Sequence, residues 1–278
     1  MKERQVINPL THVINRISTI LSDLGFSYVS GPELETEYYN FDALNVPKDH
    51  PSRDMQDTFW LKQFSSEENC SPDHFAKQND LGVKSCRSER KLLRTQTSAV
   101  QIRFMEQNNQ PPFKIFSPGR VFRQEATDAT HEMQFYQWEG LLIDKNVSMA
   151  DLKSVINTIF DRFFERDINV RFRPSFFPFV EPGAEVDISC FKCSTGKPGC
   201  PICKGTGWVE VMGAGMVNPK VLNGMGINPE KWQGYAFGAS IERLAMMKYG
   251  VDDIRLFYSG DLRLVNQFET ENKLNKNN

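Results

Sequence analysis

The 278-residue chain carries 33 Lys and Arg against 35 Asp and Glu, a formal net charge of -2. That length can bury a sizeable core around a mixed sheet as one main domain, and the charge balance excludes a generally basic nucleic-acid coat, so any RNA contact is local or shared with a partner. No apolar run approaches the roughly 20 residues of a membrane span, and the polar start Met1 to Gln5 lacks the apolar core of a secretory signal, so a cytoplasmic protein without a membrane segment is expected.

Leu10, Val13, Ile14, Ile17, Ile20, Leu21 and Leu24 recur at three- and four-residue steps between Pro9 and Gly25, which predicts an amphipathic helix with terminal signals at both ends. Phe26 to Val29 follow as a short strand, and Gly31-Pro32 turns the chain into Glu33 to Phe41. His50 to Trp60 is a dense polar loop running into aromatics. Residues 61 to 91 are polar and irregular, with Cys70 and Cys86 standing apart, and read as a surface insertion. Leu92 to Gln101 brings apolar residues back and ends in hydroxyl and amide side chains, where Ser98 either caps a helix or touches a ligand.

Residues 119 to 140 read as two apolar-flanked strands joined by a polar loop. Side chains two apart on a strand share a face, which pairs Arg123 with Glu125 and Gln137 with Glu139. These four groups either lie on the wet face of a hairpin or converge on a ligand that carries both an anion and an ammonium. Ser148 and Asp151 then have the outline of a capping box before a helix with Leu152, Val155, Ile156, Ile159, Phe160 and Phe163 on one side. Val170 to Glu181 reads as an aromatic strand that Pro178 confines to an edge, a bulge or an unpaired end. On it, Phe177 and Phe179 are either plain core or the walls of an apolar pocket.

Cys190 and Cys193, then Cys200 and Cys203, form two Cys-x-x-Cys knuckles joined by a short loop with Gly196, Pro198 and Gly199. Thiolates at this spacing suit a tetrahedral zinc at about 2.3 Å each, with no coordination position left for chemistry, so a structural Zn²⁺ is expected in an insertion over 188 to 207. Trp208 to Val211 is a strand in which Glu210 is either a solvent-facing charge or a ligand for Mg²⁺ held with phosphates. Gly234 to Met247 reads as a strand and small-residue turn feeding a helix, with Arg243 in its first turns, placed either for a surface pair or for a polyphosphate.

Phe122-Arg123-Gln124-Glu125 and the later Gly238-x-x-x-Glu242-Arg243 resemble motifs two and three of class II aminoacyl-tRNA synthetases, with Gly31-Pro32 at the place of motif one. More narrowly, Tyr38 to Leu44, His50 to Trp60, Asp128 to His131, Phe135-x-Gln137-x-Glu139-Gly140, Phe176 to Pro182 and Trp208 to Pro219 resemble the bacterial phenylalanyl-tRNA synthetase alpha subunit, over about Pro9 to Phe268. The resemblance implies an α/β fold of α+β type: an antiparallel sheet of six or more strands flanked by helices, the catalytic domain over 1 to 278, with the four-cysteine zinc knuckle as an insertion. It implies activation of phenylalanine with ATP, transfer to tRNA(Phe), and a beta subunit partner in an α2β2 assembly. Two alternatives are a paralogue that loads phenylalanine or a related amino acid onto a non-tRNA acceptor, and a silent amino-acid-binding regulator.

By the same resemblance Arg123 bridges the amino-acid carboxylate and the α-phosphate, Arg243 holds the γ-phosphate side, His131 assists at the phosphates and Glu125 accepts from the adenine amine. Gln137 and Glu139 receive the substrate ammonium. Phe177, Phe179 and Ala236 enclose the benzyl ring, Glu210 ligates Mg²⁺, and Trp60, Gln96, Ser98 and Gln101 line the site. Gln96 stands where the family carries a histidine, and Ser240 where motif three repeats glycine. The resemblance begins almost at Met1, so the family's amino-terminal coiled coil is expected to be absent.

Overall fold

The computed structural model describes residues 7–53, 57–62, 90–193, 196–200 and 202–268. Most of the expected insertion at 61 to 91, including Cys70 and Cys86, lies outside these residues.

The periodic run near the amino terminus forms α1 (Pro9–Asp23), capped by Asn8, whose side chain accepts from the Leu10 N–H. It leads through β1 (Ser27–Tyr28) and β2 (Leu34–Thr36) to the short α2 (Glu37–Asn40). After β3 (Lys91–Leu93) come α3 (Ser98–Gln107), the long hairpin β4 (Phe113–Phe122) and β5 (Gln134–Asp144), and α4 (Met149–Phe164). Ser148 and Asp151 complete the capping box of α4, with the Asp carboxylate standing in for the usual Glu. The chain continues through β6 (Val170–Pro174), β7 (Val180–Ser189), β8 (Trp208–Val217), α5 (Pro219–Gly224), β9 (Gln233–Ser240), α6 (Ile241–Tyr249) and α7 (Leu262–Val265).

Seven strands form one sheet in the order β1-β4-β5-β9-β8-β7-β6. All neighbours are antiparallel except β1, which joins β4 in parallel. β2 and β3 pair separately. One core lies between the sheet and α1, α4 and α6, and contains Val13, Ile17, Leu152, Ile156, Trp138 and Leu244. A second lies on the opposite face, where Leu141, Ile143 and Val217 meet Ile102 and Met105 of α3 and Val221 of α5. Burial on both faces explains why Leu141, Leu142 and Ile143 run together without polar alternation.

Two expectations need correction. The first strand of the hairpin ends at Phe122, so Arg123 and Glu125 lie just beyond it in the connecting loop. There the Glu125 N–H donates to the Arg123 carbonyl, a tight turn that breaks the two-residue alternation. The aromatic strand over 170 to 181 is also interrupted: β6 stops at Pro174, and Phe177 bridges only to Val180 as the chain turns back into β7. Proline at 174 and 178 withholds two ladder donors, which favours the turn. Among the described residues no helix is long and apolar enough to cross a membrane.

Candidate active site

On the α3 face of the sheet, Glu139 of β5, Gly238 of β9 and Gly213 of β8 lie side by side in register. A Cβ at Gly238 would fall 2.5 Å from Glu139 Cγ, and one at Gly213 would crowd the Phe177 ring at 3.3 Å. The two glycines therefore leave a flat floor between a polar wall, Gln137 and Glu139, and an aromatic wall, Phe177 and Phe179, whose rings stack with centroids 5.9 Å apart. One register step along, Ala236 continues the floor between Leu141 and Gly215. It borders a narrow apolar cavity closed by Phe179, Leu44, Met105, Val217 and Val221, with Gln101 at its polar end.

Glu139 is 5% exposed. Its Oε2 accepts from Ser98 Oγ at 2.7 Å and from Gln101 Nε2 at 3.0 Å. No cation forms an ion pair with it among the described residues. Burial pushes its carboxyl up to about 7, only partly offset by hydrogen bonds and by the charges of Arg94 and Arg123. Ser98 thus does not cap α3. It is the first residue of the helix, and its hydroxyl is spent on Glu139.

The irregular run Thr95 to Ser98 ties the groups together. The Thr95 carbonyl accepts from Arg123 Nε at 3.2 Å, and the Thr97 N–H donates to Gln137 Oε1 at 3.2 Å. Gln96 Nε2 donates to the Asn40 carbonyl at 3.1 Å, which turns this amide toward α2. Arg94, buried and held by carbonyls, donates to those of Arg120 (2.7 Å), Gly31 (3.1 Å) and Pro32 (3.3 Å) and so fastens the Gly31-Pro32 turn to β4. Trp60 stands behind this run, tilted against Phe41 and covered by the Arg90 guanidinium, with its indole N–H donated to the Arg53 carbonyl.

Arg123 lies 5.1 Å from the Phe135 ring and 3.9 Å from Glu125 Oε1. His131, on the exposed loop between β4 and β5, holds Asp128 at 3.0 Å, and that contact keeps the Asp128 carboxyl well below the usual range. The loop docks on the chain after α6 through the Ile254 N–H and the Ala129 carbonyl. Arg243 Nη1 donates to the Glu210 main-chain carbonyl at 3.0 Å, tying α6 to β8, while the Glu210 carboxylate faces Arg173 of β6 at 3.4 Å. Ser240 caps α6: its hydroxyl accepts from the Arg243 N–H and donates to Glu242 Oε2. Glu242 is fully buried and also accepts from the Tyr136 N–H at 2.7 Å, tying α6 to β5.

A model of the class II core domain of tRNA synthetases (F) matches residues 1–268. The alpha subunit of phenylalanine–tRNA ligase from Bacillus pumilus is 49% identical over 265 residues, 95% of this chain and 69% of that protein. The chain belongs to the phenylalanine–tRNA ligase alpha-subunit family of class II synthetases. The Bacillus subtilis alpha subunit is 48% identical over 94% of the chain and 68% of its own length, and one from Dehalococcoides mccartyi is 50% identical over 94% and 69%. In fold alone the chain is similar to the pyrrolysyl-tRNA synthetase of Desulfitobacterium hafniense, with a TM-score of 0.62 at 16% identity over 94% of this chain and 77% of that one.

Away from the site, the four cysteines of the knuckles converge, with all Sγ atoms within 4.8 Å of one another. Cys190 and Cys200 are 3.9 Å apart, and Cys193 and Cys203 3.4 Å. Four thiolates on a tetrahedral ion at about 2.3 Å sit roughly 3.8 Å apart, so the set fits a metal of that kind. Backbone N–H groups of Gly196 and Lys197 point at Cys193, and those of Ile202 and Cys203 at Cys200, an arrangement that favours thiolate at both.

The sequence reading did not single out Asn40, Leu44, Met105, Val217 or Val221. Each reads as ordinary core or helix end, and only the register of the sheet and the return of the chain near Asn40 bring them to the site.

Proposed function

We propose that the chain activates phenylalanine with ATP to phenylalanyl-adenylate and passes the acyl group to tRNA(Phe), as the catalytic alpha subunit of an α2β2 phenylalanine–tRNA ligase in the cytoplasm. The observation that carries this reading is Glu139: a buried carboxylate with neutral partners only, at the head of an apolar cavity whose floor is glycine and alanine. A carboxylate kept ionised at such a place needs a cation, and the ammonium of an amino acid supplies it. The cavity beyond is lined by apolar side chains suited to a ring but as it stands holds no more than about one water, so Phe179 and the residues facing it must part to admit the ring. Ala236, Phe177 and Phe179 enclose that ring, and Gln137, Gln101 and Ser98 orient the amine end.

The reaction needs no covalent nucleophile. The substrate carboxylate attacks the α-phosphorus in line, the bond to pyrophosphate breaks, and Arg123 meets the charge that develops on the carboxylate and α-phosphate. Arg243 and His131 hold the phosphates from the α6 and loop sides, while Glu125 accepts from the adenine amine. A terminal hydroxyl of the tRNA then attacks the acyl carbon and AMP leaves. Glu210 is a half-exposed carboxylate that faces Arg173 at 3.4 Å while its main-chain carbonyl accepts from Arg243; as a hard oxygen donor it would hold Mg²⁺ shared with the phosphates, and the ion would supply charge neutralisation. Cys190, Cys193, Cys200 and Cys203 hold a Zn²⁺ that stiffens the knuckle. The domain extends over residues 1 to 278, with insertions at 61 to 91 and 188 to 207. Trp60 and Gln96 support the amino-acid end from behind.

The test is pyrophosphate exchange with the partner subunit present. It is expected to depend on phenylalanine and to fall at least about a hundredfold in Arg123→Ala and in Arg243→Ala, the range for losing one charge-stabilising group. Exchange that does not need phenylalanine, or that survives both substitutions, would sink the reading.

A further inference from the structure

One short stretch, from Glu37 to Val46, stands behind both halves of the site. Asn40, at the end of α2, is fully buried. Its Nδ2 donates to Thr95 Oγ1 at 2.9 Å, and its Oδ1 accepts from the Thr95 N–H at 3.1 Å. The Thr95 carbonyl is the group that accepts from Arg123 Nε. A single residue therefore separates Asn40 from the guanidinium. Five positions on, Asn45 adopts the left-handed conformation (φ 57°) and its Nδ2 donates to the Pro178 carbonyl at 2.8 Å. Pro178 stands between Phe177 and Phe179. Leu44, next to Asn45, lines the cavity itself.

The stretch is anchored on its far side. Arg53, 8% exposed, reaches Glu37 at 3.1 Å and Asp42 at 2.7 Å. Phe41 is buried, and its carbonyl accepts from the Val46 N–H. Residues 95 to 97 lie between β3 and α3 with no strand ladder of their own, so beyond Arg94, which pairs with Glu33 and Phe122, the two-point contact from Asn40 does what a paired strand would otherwise do. Without it the Thr95 N–H is a buried orphan and residue 95 loses both holds on its position, which loosens the carbonyl on the same residue that orients Arg123. At the other end Asn218 also reaches the Pro178 carbonyl, but at 3.4 Å, so Asn45 makes the tighter of two grips on the aromatic wall.

We propose that Asn40 and Asn45 are positioning residues that act on different halves of the reaction: Asn40 fixes Arg123 through Thr95, and Asn45 fixes the Phe177 and Phe179 wall through Pro178. The proposal rests on the reading of the site given above. Asn40 therefore acts on the chemical step and Asn45 on recognition of the ring.

Steady-state exchange by the full chain assembled with its partner subunit separates the two. Asn45→Gly keeps the left-handed backbone accessible and deletes the amide, and is expected to raise the phenylalanine KM about tenfold, the size of one buried hydrogen bond, with kcat and the ATP KM within about twofold. Asn40→Ala is expected to lower kcat by about thirtyfold with the phenylalanine KM within about threefold, as for a misplaced catalytic group. Thr95→Val keeps shape and carbonyl while removing one of the two Asn40 bonds, and is expected to lower kcat by about three- to tenfold; it carries the same test should Asn40→Ala not fold. Parallel loss of kcat and KM in the Asn40 or Thr95 variant and the Asn45 variant, or changes in thermal midpoint alone, would overturn the division. Absence of exchange in the unsubstituted protein would overturn the reading of function and this proposal with it; exchange without the split overturns this proposal alone.

Discussion

Glu139 shows what burying a carboxylate without an ion-pair partner among the described residues costs a fold. In the unfolded chain its carboxyl titrates near 4.5, and in the folded chain near 7. The folded state therefore holds that proton more tightly, so the group stabilises the fold fully below about pH 4.5, and this contribution, roughly 3 kcal/mol, is lost as pH rises through about 7. Above that the ionised carboxylate waits for an ammonium. Phenylalanine affinity is accordingly expected to weaken as pH falls below about 7, approaching tenfold per unit, while the substrate amine stays protonated throughout. Glu139→Gln preserves an oxygen for Ser98 and Gln101 and removes the charge. It is expected to raise the thermal midpoint at pH 8 by about 5 °C, and by little at pH 4.5, while weakening phenylalanine binding at least about a hundredfold. Calorimetry and thermal melts at the two pH values check both. Unchanged affinity, or an unchanged midpoint at pH 8, would show that the carboxylate is not held for a cation. At this scale the sequence showed Gln137 and Glu139 on one face of a strand, which β5 bears out, whereas the same spacing at Arg123 and Glu125 falls in the loop beyond β4. The partners were not legible. Nothing in Thr95-Gln96-Thr97-Ser98 says which amide faces β5 and which faces α2, because that depends on contacts made across 40 to 56 residues of chain.

Among the elements, the knuckle and the cap of α6 illustrate two ways of closing a local structure. Gly196, Gly199, Gly205 and Gly207 all take positive φ, which lets the chain turn tightly enough to aim N–H groups at sulfur. Among the described residues the knuckle's own cluster holds only its four cysteines with Ile202 and Val209. Chelation is therefore expected to raise amide exchange over residues 190 to 207 first, with β5 and β9 still protected and pyrophosphate exchange within about twofold, since a four-thiolate ion takes no part in chemistry. Hydrogen-exchange mass spectrometry reads this directly; loss of protection across the whole sheet, or activity that falls in step with metal, would contradict it. The knuckle was legible from cysteine spacing alone, and α1 and α4 from their periodicity and caps. The hairpin's end was not, because a chain leaving a strand keeps an extended look for several residues. Ser240 is the converse case: it stands where motif three of the family repeats glycine, and it is the N-cap of α6, with both hydrogen-bonding roles of its hydroxyl used within that turn.

For the molecule as a whole, the proposed function sets the two ends of the substrate on different parts of the chain: the anion end on the residues just after β4 and on α6, the ammonium end on β5, and the ring on β8, β9 and the turn before β7. Antiparallel neighbours in the order β5-β9-β8 bring residues 139, 238 and 213 into one row, a juxtaposition that composition and periodicity do not disclose. Family resemblance anticipated the fold class, whereas the register of the row and the asparagine contacts behind it required the coordinates. A crystal structure of the assembled protein with a non-hydrolysable phenylalanyl-adenylate analogue tests the central claim most directly. The account predicts the analogue's ammonium about 3 Å from the side chains of Glu139 and Gln137, with the ring on Ala236 beside Phe179 and Arg123 at the acyl-phosphate junction. An ammonium lodged away from Glu139, or a ring outside that cavity, would contradict it.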